Sequence, residues 1–159
     1  MAIIQAMCTS FKAELMLAVH DFRLTSGDIF KLALYTSSAS IDANTTSYSA
    51  SNEVSSSGTN YTAGGATLVN LGVVASNTSA STGVGFTDFS DVTFANATIT
   101  ARGALIYNTT PSANGTANTT LTNAAVAVLD FGSDKTSTDG DFTIIFPSAT
   151  NTTAIIRIA

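Results

Sequence analysis

Charge is what this chain has least of. Asp, Glu, Lys and Arg make up 11% of its 159 residues, against about 25% in ordinary globular proteins. Trp is absent, Cys and His occur once each, and Glu14 and Glu53 are the two glutamates. Each shortage excludes something. A lone Cys8 cannot form an intramolecular disulfide, which fits a reducing compartment or indifference to redox state. The six basic residues, Lys12, Arg23, Lys31, Arg102, Lys135 and Arg157, are scattered along a chain of net charge −5. Binding of nucleic acid by counterion release needs them clustered, so no nucleic-acid partner is expected. Residues 1–7 are apolar but have no basic n-region, and Lys12 and Glu14 break the hydrophobicity before about 18 residues accumulate. The sequence thus predicts neither a signal peptide nor a transmembrane span, and no membrane partner.

In place of charge stand Ser, Thr and Asn, in runs at 36–40, 55–59, 76–82 and 116–123. These short neutral side chains lose less rotamer entropy on being covered than Lys or Glu do, so they suit a surface that packs against others. Asn-x-Ser/Thr triplets begin at Asn44, Asn60, Asn77, Asn96, Asn108, Asn114, Asn118 and Asn151. Without a secretory leader they read as a by-product of composition and not as glycosylation sites. A chain of this length fits one domain spanning residues 1–159, large enough to bury about 68–70% of its unfolded surface.

Helical periodicity occurs once. Phe11, Leu15, Ala18, Val19 and Phe22 share a face, with Thr9 or Ser10 as the cap and 25–27 as the end, which predicts about three turns. Beyond Gly27 the period is two. Segments 28–36, 66–74, 84–89, 92–100, 103–108, 125–131, 141–146 and 154–158 read as about eight strands, the first with Phe30, Leu32 and Leu34 on one face and Lys31 and Tyr35 on the other. Asp139-Gly140 signals a tight turn, and Pro147 ends a strand. The pattern predicts an all-β antiparallel sandwich, jelly-roll or immunoglobulin-like, with an N-terminal arm and helix in 1–25. Two polar insertions, 37–65 and 109–123, exceed ordinary loop lengths of about 4–6 residues. The first carries Tyr48 and Tyr61, and it is expected to fold over the sandwich or touch a neighbour.

Catalytic constellations are scarce. His20 has no orienting carboxylate at a suitable spacing, because Asp21 beside it points to another helix face, and it reads as a surface or capping residue. Cys8 reads as a small buried or interfacial side chain. Asp130, Asp134, Asp139 and Asp141 around Gly132 and Gly140, with Asp88 and Asp91 flanking Phe89, raise calcium as a ligand, but the spacing fits no EF-hand and turn chemistry accounts for them. Gly64-Gly65 and Gly83-x-Gly85 open no helix and carry no phosphate-binding lysine, so they read as turn glycines. No enzyme activity, cofactor or metal is expected. The apolar ends, Ala2 to Met7 and the last strand, point to interface roles for Ile3, Ile4, Phe11, Tyr48, Tyr61, Ile156 and Ile158.

The segments Phe30-Lys-Leu-Ala-Leu-Tyr-Thr-Ser-Ser-Ala39, Tyr61-Thr-Ala-Gly-Gly-Ala-Thr-Leu68, Ala101-Arg-Gly-Ala-Leu-Ile-Tyr-Asn108, Ala125-Val-Ala-Val-Leu-Asp-Phe-Gly-Ser-Asp-Lys135 and Ile155-Ile-Arg-Ile158 resemble small virion proteins of tailed bacteriophages and prophages. The resemblance implies a particle component without a catalytic signature. It leads to the expectation of a capsid cement or decoration protein on the capsid surface of the virion, with the major capsid protein as partner and self-association as a homotrimer where three shell subunits meet. A tail, neck or fibre component is the alternative. A host-glycan-binding module using Tyr48, Tyr61 or Tyr107 is a third.

Overall fold

The computed structural model describes residues 2–76, 83–113, 116–117 and 120–159. The triplets at Asn77, Asn114 and Asn118 and most of the run 76–82 lie outside them. The fold is all-β with one short helix. In chain order the elements are β1 (Ala6–Met7), α1 (Thr9–Met16), β2 (Phe30–Tyr35), β3 (Ala66–Thr67), β4 (Asn70–Ser76), β5 (Val84–Phe89), β6 (Val92–Asn108), β7 (Ser112–Ala113), β8 (Thr116–Ala117), β9 (Ala124–Ile144) and β10 (Ile156–Ile158). A five-stranded sheet runs β1-β9-β6-β2-β3, a three-stranded sheet runs β10-β5-β4, and β7-β8 is a separate hairpin within the second polar insertion. All strand pairings are antiparallel.

The two sheets meet over a row of phenylalanines. Phe22 stacks on Phe30 at 4.4 Å between ring centroids, Phe89 of β5 lies 5.6 Å from Phe30, and Phe146 lies 6.1 Å from Phe89. Such pairs add about 0.5–1.5 kcal/mol each beyond the area they bury. Leu32, Leu34, Ile106 and Val126 complete this core. The other face of β2 is buried as well, since Ala33 and Tyr35 are as inaccessible as Leu32 and Leu34. The polar segment 37–65 covers it. That segment hydrogen-bonds to the N-terminal arm through Ile4 N–H to Ile41 O, to the start of β9 through Ala125 N–H to Thr46 O, to β2 through Val54 N–H to Leu34 O, and to β6 through Thr98 N–H to Thr59 O. The central sheet is therefore sandwiched between the small sheet and a long strap. Gly65 lets the strap return to β3: its φ is +73°, and a Cβ there would lie 1.8 Å from the Leu32 carbonyl oxygen.

β6 and β9 form one long ribbon where the sequence suggested four separate strands. Asp139-Gly140 is not a hairpin turn. Asp139 and, across the ribbon, Asn96 take positive φ of 47° and 49°, and the register shifts on both sides of the Ala97/Gly140 pair. These are β-bulges, which bend a ribbon and increase its twist. A straight strand would separate Phe131 from Phe142 by about 36 Å, yet their rings lie 6.5 Å apart. The bent ribbon turns a corner, from beside β5 to the middle of the large sheet.

The helix is eight residues long, not three turns. Cys8 occupies the N-cap without a side-chain bond, and the Ser10 hydroxyl is buried with no hydrogen-bond partner. At the C-terminus Val19 N–H reaches Glu14 O and Ala18 N–H reaches Leu15 O, with Ala18 at φ 55°. That is a Schellman closure with alanine where glycine is usual. Val19 and Phe22 are buried as expected, but from the loop that follows. Replacing Ala18 by Gly relieves the left-handed strain and is expected to raise stability by about 0.5–1 kcal/mol net of the added unfolded-state entropy. A rise in the urea midpoint at unchanged m-value checks it.

Candidate interaction surfaces

All four tyrosines of the chain converge on one carboxylate. Glu53 stands opposite Tyr35 in a short antiparallel bridge between strap and β2. Its Oε2 accepts the Tyr48 hydroxyl at 2.6 Å, and its Oε1 accepts the Tyr61 hydroxyl and the Gly64 N–H, each at 2.7 Å. Tyr61 in turn accepts Leu34 N–H, Tyr107 donates to Gly64 O at 2.7 Å, and Tyr35 donates to Ser49 O at 2.6 Å. Tyr48 stacks on Tyr107 at 4.7 Å. Burial raises the hydroxyl pKa of Tyr35, Tyr48, Tyr61 and Tyr107, that of Tyr107 to about 12, and the hydrogen bond to Glu53 pushes Tyr48 and Tyr61 further. Tyr61 and Tyr107 are buried and Tyr48 has a face against Tyr107, so these rings serve the strap and do not form an open platform for a sugar.

A second polar network surrounds the single histidine. His20 is neither on the helix nor at the surface; its side chain is fully enclosed. Asn108 Nδ2 donates to Asp28 Oδ2 at 2.7 Å and its Oδ1 accepts Thr110 N–H, which sets the amide orientation. The second Nδ2 hydrogen then faces His20 Nδ1 at 2.9 Å, so Nδ1 accepts and Nε2–H donates to Glu14 Oε2 at 2.6 Å. Asp28 also takes the Ser112 hydroxyl and the Asp21 N–H. Both ring nitrogens are engaged, and Phe11 packs on the ring at 4.8 Å. The orienting carboxylate is Glu14, six residues before the histidine, a partner that a search for sequence neighbours passes over.

The aspartates lie mostly within strands, Asp88 in β5 and Asp130 and Asp141 in β9, and serve as hydrogen-bond acceptors at the corners. Asp88 is buried, with its pKa raised by that burial, and accepts Phe89 and Ile155 N–H; Asp91 accepts Phe146 N–H; Asp130 takes Gly132 N–H and Arg102; Asp141 accepts Asn96 N–H. Among the described residues no group of three or more His, Cys, Asp and Glu could hold a metal ion, and no helix is long and apolar enough to cross a membrane. Cys8 is buried, and burial with the nearby Glu14 and Asp42 charges pushes its thiol up to about 11.

Of the residues expected at an interface, Ile3, Phe11, Tyr61 and Ile156 are consumed by the chain's own core. The N-terminal arm pairs within the chain, β1 with β9 and Ile3 with Ile41. Ile4 and Ile158 remain exposed. The larger apolar exposure lies elsewhere. Met16 and Leu17 at the end of α1, Leu24, and Val69, Leu71, Val73 and Val74 on and beside β4 are all 45–84% accessible. Leu24 lies over Gly72 of β4, and Val73 and Ile158 line one apolar cleft of about 150 Å³ with Leu15, Phe22 and Phe86. A second cleft, about 410 Å³, sits in the crook of the bent ribbon between Phe131, Phe142, Ile144, Ile145 and Lys135.

Compared with known proteins, the chain matches no family model, no curated protein and no solved structure.

Two outcomes are expected at the Glu53 cluster. Removing an ionised acceptor from three donors makes Glu53→Ala cost about 3 kcal/mol in denaturant unfolding, with Glu53→Gln costing less because its carbonyl still accepts. Because the folded state holds tyrosine protons more tightly than the unfolded chain, this stability is complete below the ordinary tyrosine value of 10.0 and is lost as pH rises through the raised values. Tyrosinate absorbance and loss of circular dichroism are expected to emerge together above pH 10.

Proposed function

We propose that this chain is a structural component of a tailed-bacteriophage virion, a capsid cement or decoration protein that binds the lattice of the major capsid protein. The observation that carries the reading is the surface: large apolar side chains exposed among neutral Ser, Thr and Asn, with charge scarce. Exposed apolar patches of this kind mark protein–protein contact. The acid–base groups support the same reading, since the histidine and both glutamates are spent on internal hydrogen bonds. The resemblance of the central strands to phage virion proteins supplies the particle.

Holding a shell requires many modest contacts. A protein repeated over a lattice gains from each neighbouring engagement, because the first bound contact raises the effective concentration for the next. Binding the assembled shell and not its free subunits stabilises the shell by mass action. The hydrogen-bonded strap and doubly covered central sheet suit this task, since a module ordered beforehand loses little conformational freedom on docking.

Quantitative protein analysis of purified particles tests the proposal. The expected result is a copy number on the scale of the shell lattice, with particles lacking the chain opening at lower temperature. A few copies per particle would move the protein to the tail or neck, and its absence from particles would overturn the virion role.

A further inference from the structure

The outer edge of β9 is guarded along most of its length and open at its end. β1 pairs with it at Ala127 and Val128, and among the described residues no strand or loop backbone bonds to that side beyond them. Asp130, Asp134, Lys135, Asp139 and Asp141, with the bulges around Gly140, protect 130–141, because charge and broken register resist strand addition. The run Phe142-Thr-Ile-Ile145 has neither protection. Every second residue of 142–144 turns its N–H and C=O away from β6. The cleft of about 410 Å³ lies against this run, lined by Phe142, Thr143, Ile144 and Ile145 in succession, with Phe131 and Lys135 from the preceding limb of the bent ribbon. Successive residues of a strand point to opposite faces, and here Phe142 and Ile144 are buried while Thr143 and Ile145 are exposed. A cavity that touches all four therefore runs along the strand edge, where backbone is unpaired.

We propose that this edge takes an extended peptide segment of a partner protein as an added strand, with apolar side chains seated against Phe131 and Phe142 and a carboxylate on Lys135. Strand addition draws its affinity from main-chain hydrogen bonds and its specificity from pockets for alternate side chains. The open edge supplies the first and the cleft the second. Size decides between a segment and a folded partner: about 410 Å³ is within the ~300–1,000 Å³ of sites that enclose small ligands, so a few residues of chain fit. The edge of a second copy does not, because its β9 would carry β6 into the crook with it. Charge sets the chemistry of the segment. Lys135 is the charged residue lining the cleft, its Nζ donates to the Ser133 hydroxyl at 3.0 Å, and it joins none of the ion pairs among the described residues. An acidic residue at one end of an apolar segment completes it. The site stands apart from the virion reading, and neither depends on the other.

Amide chemical shifts of the full chain, titrated with the capped peptides Glu-Ile-Thr-Val-Thr and Thr-Ile-Thr-Val-Glu, test the site in both strand directions. The expected result is that one of them moves the amides of 131–135 and 142–145 with a Kd of about 0.1–1 mM. Its Gln counterpart is expected to bind about two- to fivefold more weakly, a difference that Lys135→Glu removes. N-methylation of alternate peptide amides is expected to abolish binding, since it takes away the ladder donors while keeping the side chains. Ile145→Asp, at a position 76% accessible, is expected to weaken binding at least about tenfold; should it fail to fold, the methylated peptides and Lys135→Glu still decide. No shift from either peptide at about 5 mM, equal binding of the methylated peptides, or a preference for Glu that survives Lys135→Glu would overturn the proposal. Shifts of 142–145 that grow with protein concentration alone would also overturn it, in favour of a second copy. None of these results touches the virion role, and absence of the chain from particles leaves the peptide site standing.

Discussion

The structure depends on attaching a long polar strap to a sheet that has no charge to spare. Segment 37–65 is mostly Ser, Thr, Asn and Ala and has too little apolar surface to hold itself down. Glu53 supplies the anchor. One carboxylate, held at β2 by the bridge to Tyr35, gathers the hydroxyls of Tyr48 and Tyr61 and the N–H of Gly64, so the middle, the end and the return of the strap converge at one point. Charge-assisted bonds in a half-buried site are each stronger than neutral ones, and here they stand beside a covered aromatic stack. With the strap in place the outer faces of Ala33, Tyr35, Leu105 and Tyr107 become interior, and the central strands are apolar on both sides. The layer that a helix supplies in many folds is made here of loop.

Scarcity of charge shapes the rest. His20 and Glu14 close the junction between α1 and the loop behind it, Asp28 and Asn108 join that junction to the end of β6, and Asp88, Asp91 and Asp141 each accept a backbone N–H at a corner of the ribbon or the small sheet. These groups work as internal fasteners where backbone would otherwise be unsatisfied. What is left facing outward is mostly neutral, with the exposed charges, among them Lys12, Arg23, Asp134, Lys135 and Arg157, few and spread out in the sequence. A surface of this kind discriminates by shape and hydrogen bonding more than by long-range attraction.

Legibility followed the range of the interactions. β5 is found at 84–89 as read, and β2 lies inside the segment expected for it, because alternation within a strand is local. The helix starts at Thr9, capped by Cys8 in place of Thr9 or Ser10, and stops early: apolar spacing continues through Val19 and Phe22, while the Schellman closure at Ala18 lacks the glycine that would have announced it. Asp139-Gly140 has the composition of a hairpin turn, yet β6 already stood alongside, so the same φ preference produced a bulge. The tyrosine cluster was invisible for a plainer reason. Segment 37–65 is expected to fold over the sandwich or touch a neighbour and it covers β2, but nothing in the spacing shows that Glu53 gathers Tyr48 and Tyr61 or that Tyr107 of β6 joins them. Ile3 and Ile156 read as contact residues because terminal apolar runs resemble arms; in the fold Ile3 bridges to Ile41 and Ile156 pairs with Thr87 of β5.

The place of β9 in the order of synthesis has its own consequence. It lies between β1 and β6 in the large sheet, and the small sheet is completed by β10, which follows it. As the polypeptide leaves the ribosome, β1 has no neighbour and β6 no second flank until residues past 124 have emerged. β2, β3 and β6 can pair before then, but the second flank of β6 must wait for a late strand. Such late, non-local pairing folds slowly and leaves a strand edge unpaired while the chain is being made.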